Sequence, residues 1–85
     1  MTRFDCLDLA REAVTARADP YGTPESNFGR IAALWSVILE RPVTPAQVAL
    51  CLDAVKTARL IQNPAHADSW VDKAGYSACG AEVAT

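Results

Sequence analysis

The fold is decided by the stretch TPAQVALCLDAVKTARLIQNP, residues 44–64, which predicts a helix with a defined start, a defined end and a wide apolar surface. Thr44 is suited to the N-cap, Pro45 to the first helical position, and Gln47 completes a capping box. The helix is expected to end near Ile61, before the breaker at 63–64. Apolar residues cover more than half of its circumference, so it should lie centrally or contact two neighbours.

Three further helices are predicted, two before this one in the sequence and one after it. The first covers about residues 3–17 and is ended by the turn signal at 19–22. The second begins at Thr23 and Pro24 and ends at 40–42. Its apolar stripe consists of Phe28, Ile31, Ala32, Trp35, Ile38 and Leu39. The fourth runs from about 68 or 69 to 84 and carries small residues that let another helix approach. These patterns predict an all-α, compact four-helix protein in which residues 1–85 form one domain.

The amino-acid composition and the net charge limit the kinds of partner that the protein can bind. Of the 85 residues, 51% are hydrophobic and only 7% aromatic, which is more apolar content than one small core can hold. We therefore expect a homo-oligomer that associates through helix faces. A net charge of −2 predicts no general attraction to DNA, RNA or an anionic membrane. No apolar run approaches a membrane span of ~20 residues. Three cysteines interpreted as reduced predict a cytoplasmic protein.

The three cysteines, Cys6, Cys51 and Cys79, cannot all pair with one another. None forms a Cys-x-x-Cys motif, which is the usual signature of a redox or zinc site. We interpret them as reduced, buried core residues. No cofactor and no metal site is assigned from the sequence.

Three polar residues fall inside the apolar arcs of their helices: Asn27, Arg59 and Asp72. One interpretation is that Arg59 and Asp72 pair across the third and fourth helices, with Asn27 bonded to backbone, because buried charges need partners. The other is that all three line a polar pocket and contact an anion. Lys56, one turn before Arg59 at the border of the arc, supplies a second cation and is expected to be dispensable for folding.

Further candidate ligand contacts lie nearby. Asp68 is either a helix cap or a ligand or metal contact. His66, in the loop before the fourth helix, either orders that loop, is solvated or acts as a base. Trp70 and Tyr76 are either packing residues or stacking surfaces for a base. Residues 21–22, which include Tyr21, form either a simple turn or a loop that a phosphate can approach.

Several of these residues form a longer pattern. With YG-x-P-x-x-NF at 21–28, a Trp at 35, K-x-x-R at 56–59 and NP-x-H-x-D-x-W-x-D-x-AGY at 63–76, the chain resembles a small family of unknown function from tailed phages and prophages. The resemblance covers about residues 10–84. It implies a phage origin, and therefore a location in the cytoplasm of a bacterial host, and carries no established chemistry.

A weaker resemblance is to the MazG-like all-α nucleotide pyrophosphohydrolases, which hold Mg²⁺ with E-x-x-E and E-x-x-D motifs. This chain has Asp5-x-x-Asp8 and Asp68-x-x-x-Asp72 in their place. The resemblance implies a nucleotide ligand and, if enough carboxylates converge, Mg²⁺-dependent release of pyrophosphate.

Together these patterns predict a phage-encoded protein that binds a nucleotide or another phosphate-bearing signal and sequesters it, without catalytic residues. The alternatives are a MazG-like pyrophosphohydrolase and a protein-interaction module that blocks a host protein. The residues assigned to ligand binding are Lys56, Arg59, Asn27, Asp68, Asp72, Trp70, Tyr21, Tyr76 and His66.

Overall fold

The computed structural model describes the backbone of all 85 residues and the side chains of residues 1–18 and 20–85. It contains four helices: α1 (Arg3–Tyr21), α2 (Pro24–Leu39), α3 (Pro45–Gln62) and α4 (Ala67–Ala84). No strand occurs in the described backbone. The prediction of an all-α four-helix protein is therefore confirmed.

The helix starts follow the predicted capping chemistry. Gln47 N donates to Thr44 Oγ1 at 3.1 Å, and Thr44 N donates to Gln47 Oε1 at 2.9 Å, which closes the capping box of α3. At α2, Ser26 N donates to Thr23 Oγ1 at 3.2 Å, and Pro24 follows the cap. The α2 helix ends at Glu40, whose φ of 54° places it in the left-handed region that commonly terminates a helix.

The α1 helix is longer than predicted, because it continues through Pro20 to Tyr21. A proline in the last turn removes one N–H donor but has little helix left to interrupt. The helix ends where Gly22 adopts a φ of 80°, a conformation that a side chain would disfavour, and its N–H donates to Ala18 O at 2.9 Å. The predicted end near residue 17 was wrong, and the extra turn brings Tyr21 to the same face as Arg17.

The core lies where α2, α3 and α4 meet. It contains Phe28, Ala32, Val48 and Ala49, of which Val48 is fully buried. Close approach of α3 and α4 depends on Gly80, because a Cβ there would lie 3.1 Å from Ala49 Cβ. The α4 helix contacts all three others, whereas α3 packs mainly on α2 and α4. The wide apolar surface of α3 predicted either a central position or contact with two neighbouring helices, and the structure shows contact with two neighbours.

Part of the apolar surface stays uncovered. Cys51 is exposed, and Cys6 and Cys79 are only partly buried, so the expectation of three core cysteines was wrong. Two residues of the predicted α2 stripe, Ile38 and Leu39, are also exposed. Among the described helices, none has the length and apolarity that crossing a membrane would need.

Candidate ligand-binding cleft

A cleft of about 810 Å³ opens between α1 and α2, with α4 as its third wall. Its walls are mainly apolar and include Val14 of α1, Phe28 and Ile31 of α2, and Val71 of α4. A volume of this size lies within the range of roughly 300–1,000 Å³ typical of small-molecule sites. Apolar walls with a few convergent polar groups are also typical of such sites, so this cleft is the candidate site.

A charged cluster joins three helices at the cleft. Lys56 Nζ of α3 lies 2.9 Å from Asp72 Oδ2 of α4, and Arg17 Nη2 of α1 lies 3.8 Å from Asp72 Oδ1. The side chains of Asp72 and Lys56 are only 7% and 14% exposed, whereas that of Arg17 is 55% exposed. The buried carboxylate is thus compensated by one cation from inside the fold and one from the rim of the cleft.

Asp72 has a partner different from the predicted one. Arg59 is exposed, and the salt bridges of Asp72 are made by Lys56 and Arg17, so the predicted Arg59–Asp72 pair was wrong. Lys56 and Arg59 are three residues apart, which separates them by about 60° around the helix. Because α4 packs on the Lys56 side of α3, the lysine, rather than the arginine, reaches the buried carboxylate.

Four of the predicted ligand residues line the cleft: Tyr21, Asn27, Asp72 and Tyr76. They come from α1, α2 and α4, so only the tertiary structure brings them together. Lys56 reaches this group through its salt bridge with Asp72. Asn27 is partly buried in the first turns of α2, next to the Gly22 turn.

Arg59, His66, Asp68 and Trp70 do not line the cleft. His66 Nδ1 lies 2.8 Å from Ser69 Oγ, and Trp70 Nε1 donates to Pro64 O at 2.9 Å. These contacts order the turn between α3 and α4. The expectation that Asp68 caps α4 was wrong, because His66 occupies the N-cap position and Asp68 lies inside the first turn.

The cleft also contains a residue that the sequence interpretation missed. Arg17 follows the α1 positions Ala10, Ala13 and Val14 at helical spacing, and all but Ala10 line the cleft. The position of Arg17, which continues the apolar stripe of α1, was therefore the sequence signal that could have identified it. It was overlooked because the helix was predicted to end at this residue, which left its position on the helix face undefined.

The acidic residues do not gather into a metal centre. Among the described side chains, no three from His, Cys, Asp and Glu come close enough to hold a metal ion. Glu82 lines the cleft near Cys79. Burial raises the pKa of the Cys79 thiol, and the nearby Glu82 carboxylate adds to that rise.

Alkylation is expected to distinguish the cysteines. The thiolate is the reactive form, so the raised pKa of Cys79 lowers its reactive fraction at any given pH below that pKa. Exposed Cys51 should therefore be alkylated by iodoacetamide first, and Cys79 should require higher pH. Peptide mass spectrometry across a pH series measures both rates. Equal rates at neutral pH would contradict this placement of Cys79.

Comparison with known proteins shows which family the chain belongs to. The model of a domain of unknown function, DUF6378, matches residues 5–84. The Gene 55 protein of Mycobacterium phage L5 is 40% identical over 74 residues, which cover 84% of this chain and 47% of the relative. The Gene 55 protein of Mycobacterium phage D29 is 41% identical over 59 residues, which cover 69% of this chain and 39% of the relative.

The chain spans less than half the length of these two curated relatives. No solved structure matches it. The family match extends over all four helices, and therefore over every wall of the cleft. The chain thus belongs to the DUF6378 family, a protein family of unknown function with members encoded by phages.

Proposed function

We propose that the protein binds a small phosphate-bearing molecule, a nucleotide, in the cleft between α1, α2 and α4 and sequesters it without turnover. The observation that carries this proposal is an apolar cleft of about 810 Å³ that contains an exposed arginine beside a buried, charge-compensated carboxylate. The apolar walls suit a base or sugar, and the arginine suits a phosphate.

Phosphate recognition would use Arg17 and the start of α2. The guanidinium of Arg17 has five N–H donors and lies 3.8 Å from Asp72, so most of its donors remain available for a second, bidentate anion. Gly22, Thr23 and Pro24 line the same cleft at the N-terminus of α2. A helix N-terminus favours negative charge, and a glycine lets a ligand come close to the backbone.

Base recognition would use the aromatic and amide side chains of the cleft. Tyr21 and Tyr76 offer rings on which a base can stack, and Asn27 offers both a donor and an acceptor for its polar edge. Arg17 takes the phosphate-binding role that the sequence had assigned to Arg59. Lys56 supports the site from behind, since its ammonium group is held on Asp72.

Binding without turnover is supported by the state of Asp72, the buried carboxylate among the described side chains. Asp72 lies against two cations, so its charge is already compensated and it is poorly placed to act as a general base. Family members are encoded by phages, which replicate inside bacteria. A nucleotide binder in the bacterial cytoplasm would lower the free concentration of a host signal, such as one used in defence.

Removing the rim cation is expected to weaken binding. Arg17→Gln should lower nucleotide affinity at least tenfold, because a hydrogen bond to a charged group contributes about 1.5–3 kcal/mol. Calorimetric titration with nucleoside mono-, di- and triphosphates, cyclic nucleotides and ADP-ribose measures the effect. Arg11→Gln is the matched control, since Arg11 is exposed on the same helix and does not line the cleft.

The same titration distinguishes the three functions. Chromatography afterwards should recover the nucleotide unchanged, with or without Mg²⁺, if the protein sequesters it. Release of pyrophosphate in the presence of Mg²⁺ would instead identify an enzyme. Absence of heat with every nucleotide would overturn the proposal and favour a module that blocks a host protein.

A further inference from the structure

The outer face of α3 is apolar and is left exposed by the residues that the structure describes. We define this α3 outer face as Leu50, Cys51, Ala54, Val55, Ala58 and Ile61, all of which are exposed. Leu50 is 69% exposed and Ile61 is 81% exposed. The residues recur at intervals of three and four, so they form one continuous stripe along the helix.

The α3 outer face also lacks charge. Arg59 is the one charged residue among the exposed positions of α3, and it borders the face about 40° beyond Val55 rather than lying inside it. The two other charged residues of the helix, Asp53 and Lys56, are partly buried in salt bridges to α4. A helix face that meets only water normally carries charged residues, so this face is suited to contact with another apolar surface.

The solvent-accessible surface area of the chain is consistent with such a contact. Its accessible surface is 5909 Å², whereas a folded monomer of its 9.1 kDa mass is expected to have about 4,900 Å². Its radius of gyration is 13.4 Å, against about 12 Å for a compact domain of this length. The excess of about 1,000 Å² is similar to the roughly 800 Å² that each partner buries in a standard interface.

We propose that a second copy of this chain covers the α3 outer face, with the two α3 helices antiparallel about a two-fold axis. A two-fold interface must be complementary to itself. The face satisfies this requirement, because Leu50 and Ile61 lie at its two ends, and Ala54 and Ala58 lie on either side of its middle. Ala54 of one copy would lie against Ala58 of the other, which lets the helices approach closely.

The antiparallel register has a definite consequence for the ends of the face. Leu50 and Cys51 of one copy pack beside Ile61 of the other. The two Cys51 residues are then about 15 Å apart along the helix axis, because ten residues of rise separate them. A disulfide needs Cα atoms within about 7 Å, so Cys51 of one copy cannot pair with Cys51 of the other.

Charges on the α3 outer face should dissociate the dimer. At micromolar concentration, light scattering of the unmodified chain should give twice the 9.1 kDa monomer mass. Leu50→Glu with Ile61→Glu should give the monomer mass with unchanged helical circular dichroism, since both residues are exposed in the monomer. Val37→Glu with Ile38→Glu is the matched control, because these equally exposed α2 residues lie outside the face; it should remain dimeric.

Cross-linking tests the register. Under mild oxidation, Ile61→Cys should form an interchain disulfide between Cys51 and position 61, identified by peptide mass spectrometry, while the unmodified chain forms no Cys51–Cys51 link. A monomer throughout the micromolar range would overturn the proposal and leave the face for a different protein. A dimer that survives the two glutamates, or a rapid Cys51–Cys51 link, would overturn the proposed interface or its antiparallel register.

Discussion

Phe28→Ala is expected to lower the free energy of unfolding by about 3–5 kcal/mol, the range found when a buried phenylalanine is truncated. Phe28 is only 5% exposed and packs in the core with Ala32, Val48 and Ala49. The small alanines beside it cannot fill the space that its ring would leave, so most of the cavity should persist. The total stability of a small domain is itself only about 5–15 kcal/mol, so this change is expected to bring the chain close to unfolding.

Urea denaturation followed by circular dichroism measures this loss. Phe4→Ala is the matched control, because Phe4 is 60% exposed and its ring contacts the guanidinium of Arg3 at 4.4 Å. Losing an exposed cation–π contact should cost less than about 1 kcal/mol. Similar losses at Phe28 and Phe4 would show that the core does not lie between α2, α3 and α4 as described.

Lys56→Met is expected to destabilise the fold by about 3 kcal/mol, because it leaves the carboxylate of Asp72 buried without its closest cation. The Nζ–Oδ2 distance is 2.9 Å, and both side chains are largely buried. Arg17 remains 3.8 Å away and retains part of the compensation, which places the effect at the lower end of the range of roughly 3–5 kcal/mol for a broken buried pair. The sequence had indicated that Lys56 is dispensable for folding, and the salt bridge reverses that expectation.

A double-mutant cycle measures the interaction energy between Lys56 and Asp72. Lys56→Met combined with Asp72→Leu should recover part of the loss, because no unpaired charge is then buried. Lys73→Met is the control: Lys73 bridges Asp53 at 3.0 Å, but both side chains are about a quarter exposed or more. It should cost no more than about 1 kcal/mol. Strictly additive losses at Lys56 and Asp72 would show that the two residues do not interact.

The starts of α2 and α3 were predictable, because the capping of a helix depends on residues that are close in sequence. Thr23-Pro24 and Thr44-Pro45-Ala46-Gln47 carry their start signals within four residues, and the structure places both helix starts there. The end of α1 was not predictable in the same way. Proline at position 20 is a breaker in an isolated pattern, but in the last turn of a packed helix it is tolerated.

The candidate site was predictable only in part. Asn27 and Asp72 were singled out as polar residues inside apolar arcs, Tyr76 as a packing or stacking ring and Tyr21 as part of a turn, and all four line the cleft. Which cation meets Asp72 depends on how α3 is rotated against α4, a difference of about 60° between Lys56 and Arg59. Periodicity within one helix carries no information about that rotation.

Local sequence signals thus specify the helical class, the number of helices and most of their starts, because capping and 3.6-residue periodicity depend on neighbouring residues. The tertiary structure alone decided that Arg17, Lys56 and Asp72 meet and that the cleft opens between α1 and α2. Those contacts join residues of three helices that are far apart in the chain. They depend on packing details such as Gly80 against Ala49, where one missing Cβ sets the distance between helices.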